Sequence, residues 1–179
     1  MTQPLPDHHP LRRLFAGTVH HVLCVDVGMC DPPLADYLVE VLGKFIHMDD
    51  LYPFRDAEGR RIERLAEMAT DACLEPHVSE QARRRIVHRH IGDFVLFWTG
   101  VFPEGLRRLE RLGRGDRLTA YLEQGKRSYA LASELTTRLD EEPPAGVLRR
   151  LSDRFESCVH GLNLCCREWD VLGDQFGSR

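Results

Sequence analysis

The stretch that decides the fold is His88-Arg-His-Ile-Gly-Asp93-Phe-Val-Leu-Phe-Trp98, in which two histidines and an aspartate stand against five consecutive large apolar residues. In a helical context, a run this apolar belongs near the middle of a protein core. Ionisable side chains placed there need partners, because burying an unpaired charge is costly in free energy. We therefore expect the polar residues of this stretch to meet a metal ion, a substrate or other side chains.

Helical periodicity extends outward from this stretch over almost the whole chain. Apolar residues recur at helical spacing, whereas the sequence offers no alternating strand pattern and no hairpin turn between apolar runs. Ser79 and Asp31 are suited to cap the starts of two helices. The predicted helices cover approximately residues 10–28, 31–50, 61–74, 79–100, 103–113, 116–139 and 145–173.

The pattern predicts an all-α protein, a compact and largely antiparallel bundle of about six to seven helices with long central helices and no sheet. A chain of 179 residues is long enough to bury one core, so we expect a single domain over residues 1–179. Residues 1–9 are predicted to be a flexible leader and residues 174–179 a frayed tail.

Charge is distributed unevenly along the chain. The formal net charge of −4 divides into −6 over residues 1–78, +5 over 79–127 and −3 over 128–179. Acidic residues interrupt the basic segment and no nucleic-acid motif accompanies it, which argues against a nucleic-acid partner. Such polarity suits a homodimer or contacts with a protein partner.

The cysteines and the N-terminal residues indicate the cellular compartment of the protein. None of the six cysteines has CxxC spacing, and the vicinal pair Cys165-Cys166 is expected to pack rather than to carry redox chemistry. The start lacks an apolar signal-peptide core, and no run approaches the roughly 18 apolar residues of a membrane span. We expect a cytoplasmic protein that needs no disulfide and does not contact a membrane.

His90 and Asp93 are the central candidates for a site. A helical wheel places them one turn apart on one inward face, whereas His88 and Arg89 fall off that face and are predicted to be exposed. Residues at this spacing can form a hydrogen bond or ligate one ion together. A structural hydrogen bond is favoured over a metal or catalytic pair.

Further ligands for a metal come from two other predicted helices. Asp49 lies on the inward stripe of the second helix, and His21 lies at the edge of the inward face of the first. His90 and Asp93, joined by His21 or Asp49, would hold one divalent metal ion. Two histidines and one carboxylate with an open position suit a non-haem iron or a similar centre.

Tyr121 and Tyr129 share the inward face of the sixth predicted helix. A buried phenol needs a hydrogen-bond partner, so we expect these tyrosines to orient a ligand or to meet His90 and Asp93. Gly92 costs about 1 kcal/mol relative to alanine inside a helix. Its presence indicates either a closely packed neighbouring helix or a local distortion.

Two functions follow from these features. The first is a non-catalytic protein-interaction or regulatory protein, favoured because nucleotide-binding and familiar hydrolase motifs are missing from the sequence. The second is a metal- or ligand-binding bundle, in its strongest form a mononuclear metal enzyme, that uses the buried pair of His90 and Asp93. The sequence leaves open whether the protein is an enzyme.

Overall fold

The computed structural model describes Pro6 and residues 8–45, 79–102, 115–135 and 141–177. Within these residues the chain forms six α-helices and one π-helical segment, and no strand, which confirms the all-α prediction. The helices predicted at 61–74 and 103–113 lie outside the described residues. The elements are α1 (Pro10–His21), the π-helical segment (Val22–Asp26), α2 (Pro32–Lys44), α3 (Glu80–Val101), α4 (Gly115–Glu134), α5 (Ala145–Asp153) and α6 (Phe155–Gly177).

Side-chain caps begin two of the helices. The hydroxyl of Ser79 accepts a hydrogen bond of 3.2 Å from the backbone N–H of Ala82 at the start of α3. The carboxylate of Asp31 accepts one of 3.3 Å from the backbone N–H of Leu34 at the start of α2. Each cap satisfies an N–H group that has no partner within the helix. Both predicted helix starts are confirmed.

The long helix α3 lies at the centre of the bundle. It packs most extensively against α4 and also contacts α6 and α2, while α1 packs on α2 and α5 packs on α4. The amide of Gln81 near the start of α3 reaches the carbonyl of Leu135 just beyond the end of α4, so the two helices run antiparallel. The buried apolar residues of α3 are Val87, Ile91, Phe94, Val95, Leu96 and Phe97.

Gly92 marks the closest approach of α3 and α4. A Cβ atom at this position would lie 2.8 Å from ring carbons of Tyr129. Any larger residue would therefore have to displace the ring or separate the helices. Of the two explanations for this glycine, a closely packed neighbouring helix is the one that the structure shows.

The last predicted helix is in fact two helices. Residues 145–173 were expected to form one helix, but the backbone breaks at Arg154 (φ −119°, ψ 26°) between α5 and α6. The two parts pack against different neighbours, α5 on α4 and α2, and α6 on α3 and the π-helical segment. Within α6, Cys165 is buried and Cys166 is only half-buried.

A disulfide joins Cys24 to Cys30, although the sequence was expected to need none. The π-helical segment places the N–H of Val27 on the carbonyl of Val22 at 3.0 Å, and the chain then reverses at Gly28 with a φ of 71°. A positive φ of this size favours glycine. This turn brings the two cysteines together just before α2, although neither lies in a CxxC motif.

The remaining described cysteines are poor nucleophiles. Burial raises the pKa of Cys158 and of Cys165 to about 12, and it raises the pKa of Cys166 to about 11. A thiol reacts as its thiolate, so these side chains are almost entirely in the unreactive form at neutral pH. The pKa shifts favour a packing role for the vicinal pair.

None of the described helices combines the length and the apolar character that a membrane span requires.

Candidate functional site

A buried polar cluster lies where α2, α3 and α4 meet, centred on a carboxylate that is 2% exposed, that of Asp93. The hydroxyl of Tyr37 donates a hydrogen bond of 2.6 Å to Oδ1, and the hydroxyl of Tyr129 donates one of 2.9 Å to the same oxygen. The ammonium of Lys44 donates to Oδ2 at 3.0 Å. We call Tyr37, Lys44, His90, Asp93 and Tyr129 the Asp93 cluster.

His90 completes the cluster on the α3 side. Its Nδ1 lies 3.5 Å from the ammonium nitrogen of Lys44, and its ring meets the ring of Phe45 edge-on at a centroid distance of 5.8 Å. A protonated lysine only donates hydrogen bonds, so a bond here requires Nδ1 as the acceptor of a neutral imidazole. Lys44 thus links the carboxylate to the histidine.

Asp93 is ionised although it is buried. Burial by itself raises the pKa of this carboxyl group, because a charge is poorly solvated in the core. The positive charges of Lys44 and Arg89, the hydrogen bond from Tyr37 and the proximity of His90 outweigh burial. The net result is a pKa below the ordinary value, and the group is a carboxylate at neutral pH.

The two tyrosines are held as hydrogen-bond donors. Burial raises the pKa of Tyr37 and of Tyr129 well above the ordinary value, and the negative charge of Asp93 raises both further. Each phenol therefore keeps its proton at neutral pH and presents it to the carboxylate. Neither is tuned to release a proton near neutral pH, as a general acid would be.

No protein family, no curated protein and no solved structure matches the chain. The role of the Asp93 cluster follows from its own contacts. The Asp93 carboxylate accepts three hydrogen bonds, from Tyr37, Tyr129 and Lys44. His90 contacts the ammonium of Lys44. All of these side chains belong to the same chain.

Arg89 was expected to be exposed, and this prediction is wrong. The side chain is half-buried, and its guanidinium donates a hydrogen bond of 3.1 Å to the carbonyl of Glu142. Burial lowers the pKa of Arg89, but the neighbouring Tyr37 and Asp93 outweigh burial and raise it. His88 is half-buried as well. A single inward face does not describe α3, because other helices pack on several of its sides.

The structure brings His90, Asp93 and Tyr129 together, as the inward faces of their helices suggested. The sequence interpretation did not single out Tyr37 or Lys44. A signal for them exists, because they stand seven residues apart and so on one side of α2. Lys44 is also one of only two lysines in the chain and follows an apolar stripe.

The other predicted site residues do not join this cluster in the described structure. His21 is exposed at the end of α1. Tyr121 is half-buried and lies two turns, about 12 Å, along α4 from Tyr129. Asp49 lies outside the described residues.

The contacts of Lys44 argue against a metal ion bound between His90 and Asp93. Its ammonium already takes Oδ2 of the carboxylate and faces Nδ1 of the histidine, so a divalent cation there would be repelled by a positive charge. In the described ranges, no three His, Cys, Asp or Glu side chains are grouped to hold a metal. The metal centre stays a prediction.

We expect protein purified without a histidine tag to contain no stoichiometric metal, because Lys44 occupies the acceptor atoms that a metal would need. Elemental analysis by mass spectrometry measures this directly. Iron or zinc at one equivalent, lost in His90→Ala and retained in a His160→Ala control on the exposed face of α6, would overturn the expectation.

Acid is expected to remove the contribution of Asp93 to stability. The folded pKa lies below 3.8, the ordinary value that the unfolded chain should show. The contribution is therefore complete above 3.8 and is lost progressively as the pH falls from 3.8 through the lower folded pKa. Urea unfolding of the native protein and of Asp93→Asn should therefore show a constant difference in the free energy of unfolding between about pH 5 and 7. The difference should narrow below about pH 4. A difference that grows with acidity would contradict the assignment.

Proposed function

We propose that the protein is a non-catalytic protein-interaction or regulatory protein in which the Asp93 cluster is structural. The observation that carries this proposal is the complete set of donors on the Asp93 carboxylate, with two phenols on Oδ1 and one ammonium on Oδ2. The cluster ties α2, α3 and α4 together. Function then rests with the outer surface of the bundle.

The electrostatics of the cluster support a structural role. A catalytic carboxyl group works best with a pKa near the operating pH and with an oxygen that faces the substrate. The pKa of Asp93 is instead lowered, and its oxygens already accept hydrogen bonds from two buried phenols and from the ammonium of Lys44. Breaking such a network would cost stability, which is typical of a polar group that specifies how helices pack.

The distribution of charge supports binding of a protein partner or of a second copy of the chain. The basic segment over residues 79–127 alternates with acidic flanks, a distribution that steers association between proteins. Part of the basic charge is used within the fold, since Arg85 pairs with Glu141 at 2.9 Å. Arg84 of α3 and Arg127 of α4 are exposed.

The proposal is tested by the mass of the assembled protein. If the partner is a second copy of the chain, light scattering after size exclusion should give the mass of a dimer. If the partner is another protein, reciprocal affinity capture from the source cells should give a complex of fixed stoichiometry that re-forms from purified components. Tyr129→Phe should retain that assembly, because the phenol acts inside the fold. A monomer that forms no such complex would contradict the proposal.

The metal- or ligand-binding alternative keeps one supporting observation. The side chain of Lys44 is 33% exposed, so the cluster has one route to solvent on the α2 side. A small ligand that reached Lys44 would compete with Asp93 and His90 for its ammonium. Turnover or ligand binding that disappears in Lys44→Met would favour this alternative over the structural role.

We also propose a cytoplasmic location, and the Cys24–Cys30 bond provides its test. Disulfides persist mainly in oxidising compartments. In a reduced cytoplasm, both thiols should be trapped by an alkylating reagent added to intact cells, and the bond should form only after lysis. Recovery of the intact bond from trapped cells would contradict this location.

A further inference from the structure

Two exposed arginines on neighbouring helices, Arg84 of α3 and Arg127 of α4, lie close to His88. Neither guanidinium forms an ion pair within the part of the chain that the structure describes. Other arginines behave differently. Arg150, for example, binds the carboxylate of Asp31 at 2.6 Å.

The lowered pKa of His88 indicates a positive electrostatic potential at this surface. Burial lowers the pKa of its half-buried imidazole, and the charges of Arg84 and Arg127 lower it further. No carboxylate is among the groups that shift it. Its Nδ1 is buried and has no hydrogen-bond partner among the described residues. The ring is therefore neutral at pH 7, and the charge of this surface comes from the two guanidinium groups.

Among the described residues, the two carboxylates with suitable helical spacing do not pair with these arginines. Glu80 and Glu123 each stand four residues before an arginine, the spacing at which helical ion pairs form. In the described chain neither glutamate comes within ion-pair distance of Arg84 or Arg127. Both guanidinium groups are thus exposed and unpaired in the described part of the chain, and arginine can bind a carboxylate in a bidentate manner.

We propose that Arg84 and Arg127 form the docking surface for an acidic segment of a protein partner. This proposal rests on the interaction function proposed above and names the chemistry of the partner. Two exposed cations on neighbouring helices fit a few carboxylates in a short segment. Nucleic acid fits less well, because binding it typically neutralises about 6–10 phosphates, more than two arginines can pair with.

The test uses the full chain and a fluorescein-labelled peptide that alternates glutamate and alanine. Fluorescence anisotropy at low salt should show binding that weakens as salt screens the charges. Arg84→Gln/Arg127→Gln should weaken binding by about tenfold or more. Arg13→Gln/Arg167→Gln removes the same charge from other exposed positions and should leave binding unchanged.

NMR titration of His88 gives a second readout. The pKa of His88 should rise in the Arg84→Gln/Arg127→Gln variant, and it should rise in the native protein when the peptide binds, because carboxylates offset the two cations. An effect of the control variant equal to that of the docking variant would overturn the proposal. So would an absence of peptide binding, or tighter binding of single-stranded oligothymidine or of inorganic phosphate alone.

Failure of the docking surface can be distinguished from failure of the proposed interaction function. If a partner complex forms and survives Arg84→Gln/Arg127→Gln, the interaction function stands and this docking surface is wrong. If no complex forms, the interaction function fails whatever the peptide does.

Discussion

Replacing Asp93 by leucine is expected to lower the free energy of unfolding by about 2–6 kcal/mol, because two buried hydroxyls lose their hydrogen-bond acceptor. The substitution leaves the hydroxyls of Tyr37 and Tyr129 buried without their acceptor. Each stranded hydroxyl costs about 1–3 kcal/mol. Lys44 is partly exposed and can turn its ammonium to solvent, which limits the loss on that side. Urea unfolding monitored by circular dichroism measures the change.

Two control variants separate the network from a general effect of charge removal. Asp36→Asn removes a carboxylate that is 68% exposed and paired with His20, and it should change stability by at most about 0.5 kcal/mol. Tyr37→Phe/Asp93→Leu/Tyr129→Phe should recover much of the loss, because it removes the donors together with the acceptor. An Asp93→Leu protein as stable as the native one would show that water reaches these hydroxyls and that the cluster is open.

Gly92→Ala is expected to lower the free energy of unfolding by about 1–3 kcal/mol, the typical cost of overpacking a core. Alanine has the higher helix propensity by about 1 kcal/mol, so propensity alone predicts the opposite sign. The added methyl group would meet the ring of Tyr129 at 2.8 Å and push its hydroxyl away from Asp93. Thermal and urea unfolding of the variant measure the net effect.

Gly17→Ala is the matched control for this substitution. Gly17 is an exposed residue inside α1, and a Cβ atom there would meet nothing within 4 Å. Alanine should therefore stabilise the protein by about 0.5–1 kcal/mol, as propensity predicts. If Gly92→Ala and Gly17→Ala stabilised the protein equally, the close approach of α3 and α4 at Tyr129 would be wrong.

The helix starts were predictable from sequence because their causes are local. Ser79 and Asp31 cap helices through N–H groups only three residues away, and such spacing can be read directly. The break at Arg154 has no such signal, since neither glycine nor proline stands there. It arises because α5 and α6 pack on different helices, which is a property of the assembled bundle.

The part of the candidate site that lies within one helix was also predictable, because its cause is local. His90 and Asp93 share a helix face, so periodicity identifies them as a pair. Tyr37 and Lys44 come from α2, and only the packing of α2 on α3 brings them to the carboxylate. Arg89 was predicted wrongly because a wheel with one inward face does not suit a helix with neighbours on several sides.

The measurement that tests the structural role of Asp93 most directly is a carbon NMR titration of its side-chain carboxyl group in the intact protein. If Lys44, Tyr37 and Tyr129 hold it as a carboxylate, the midpoint of its titration should lie below 3.8, the ordinary pKa, for as long as the protein remains folded. A titration in the folded protein above that value would contradict this role. Asp93 would then be a buried acid that its own chain does not satisfy, as expected of a group kept for chemistry.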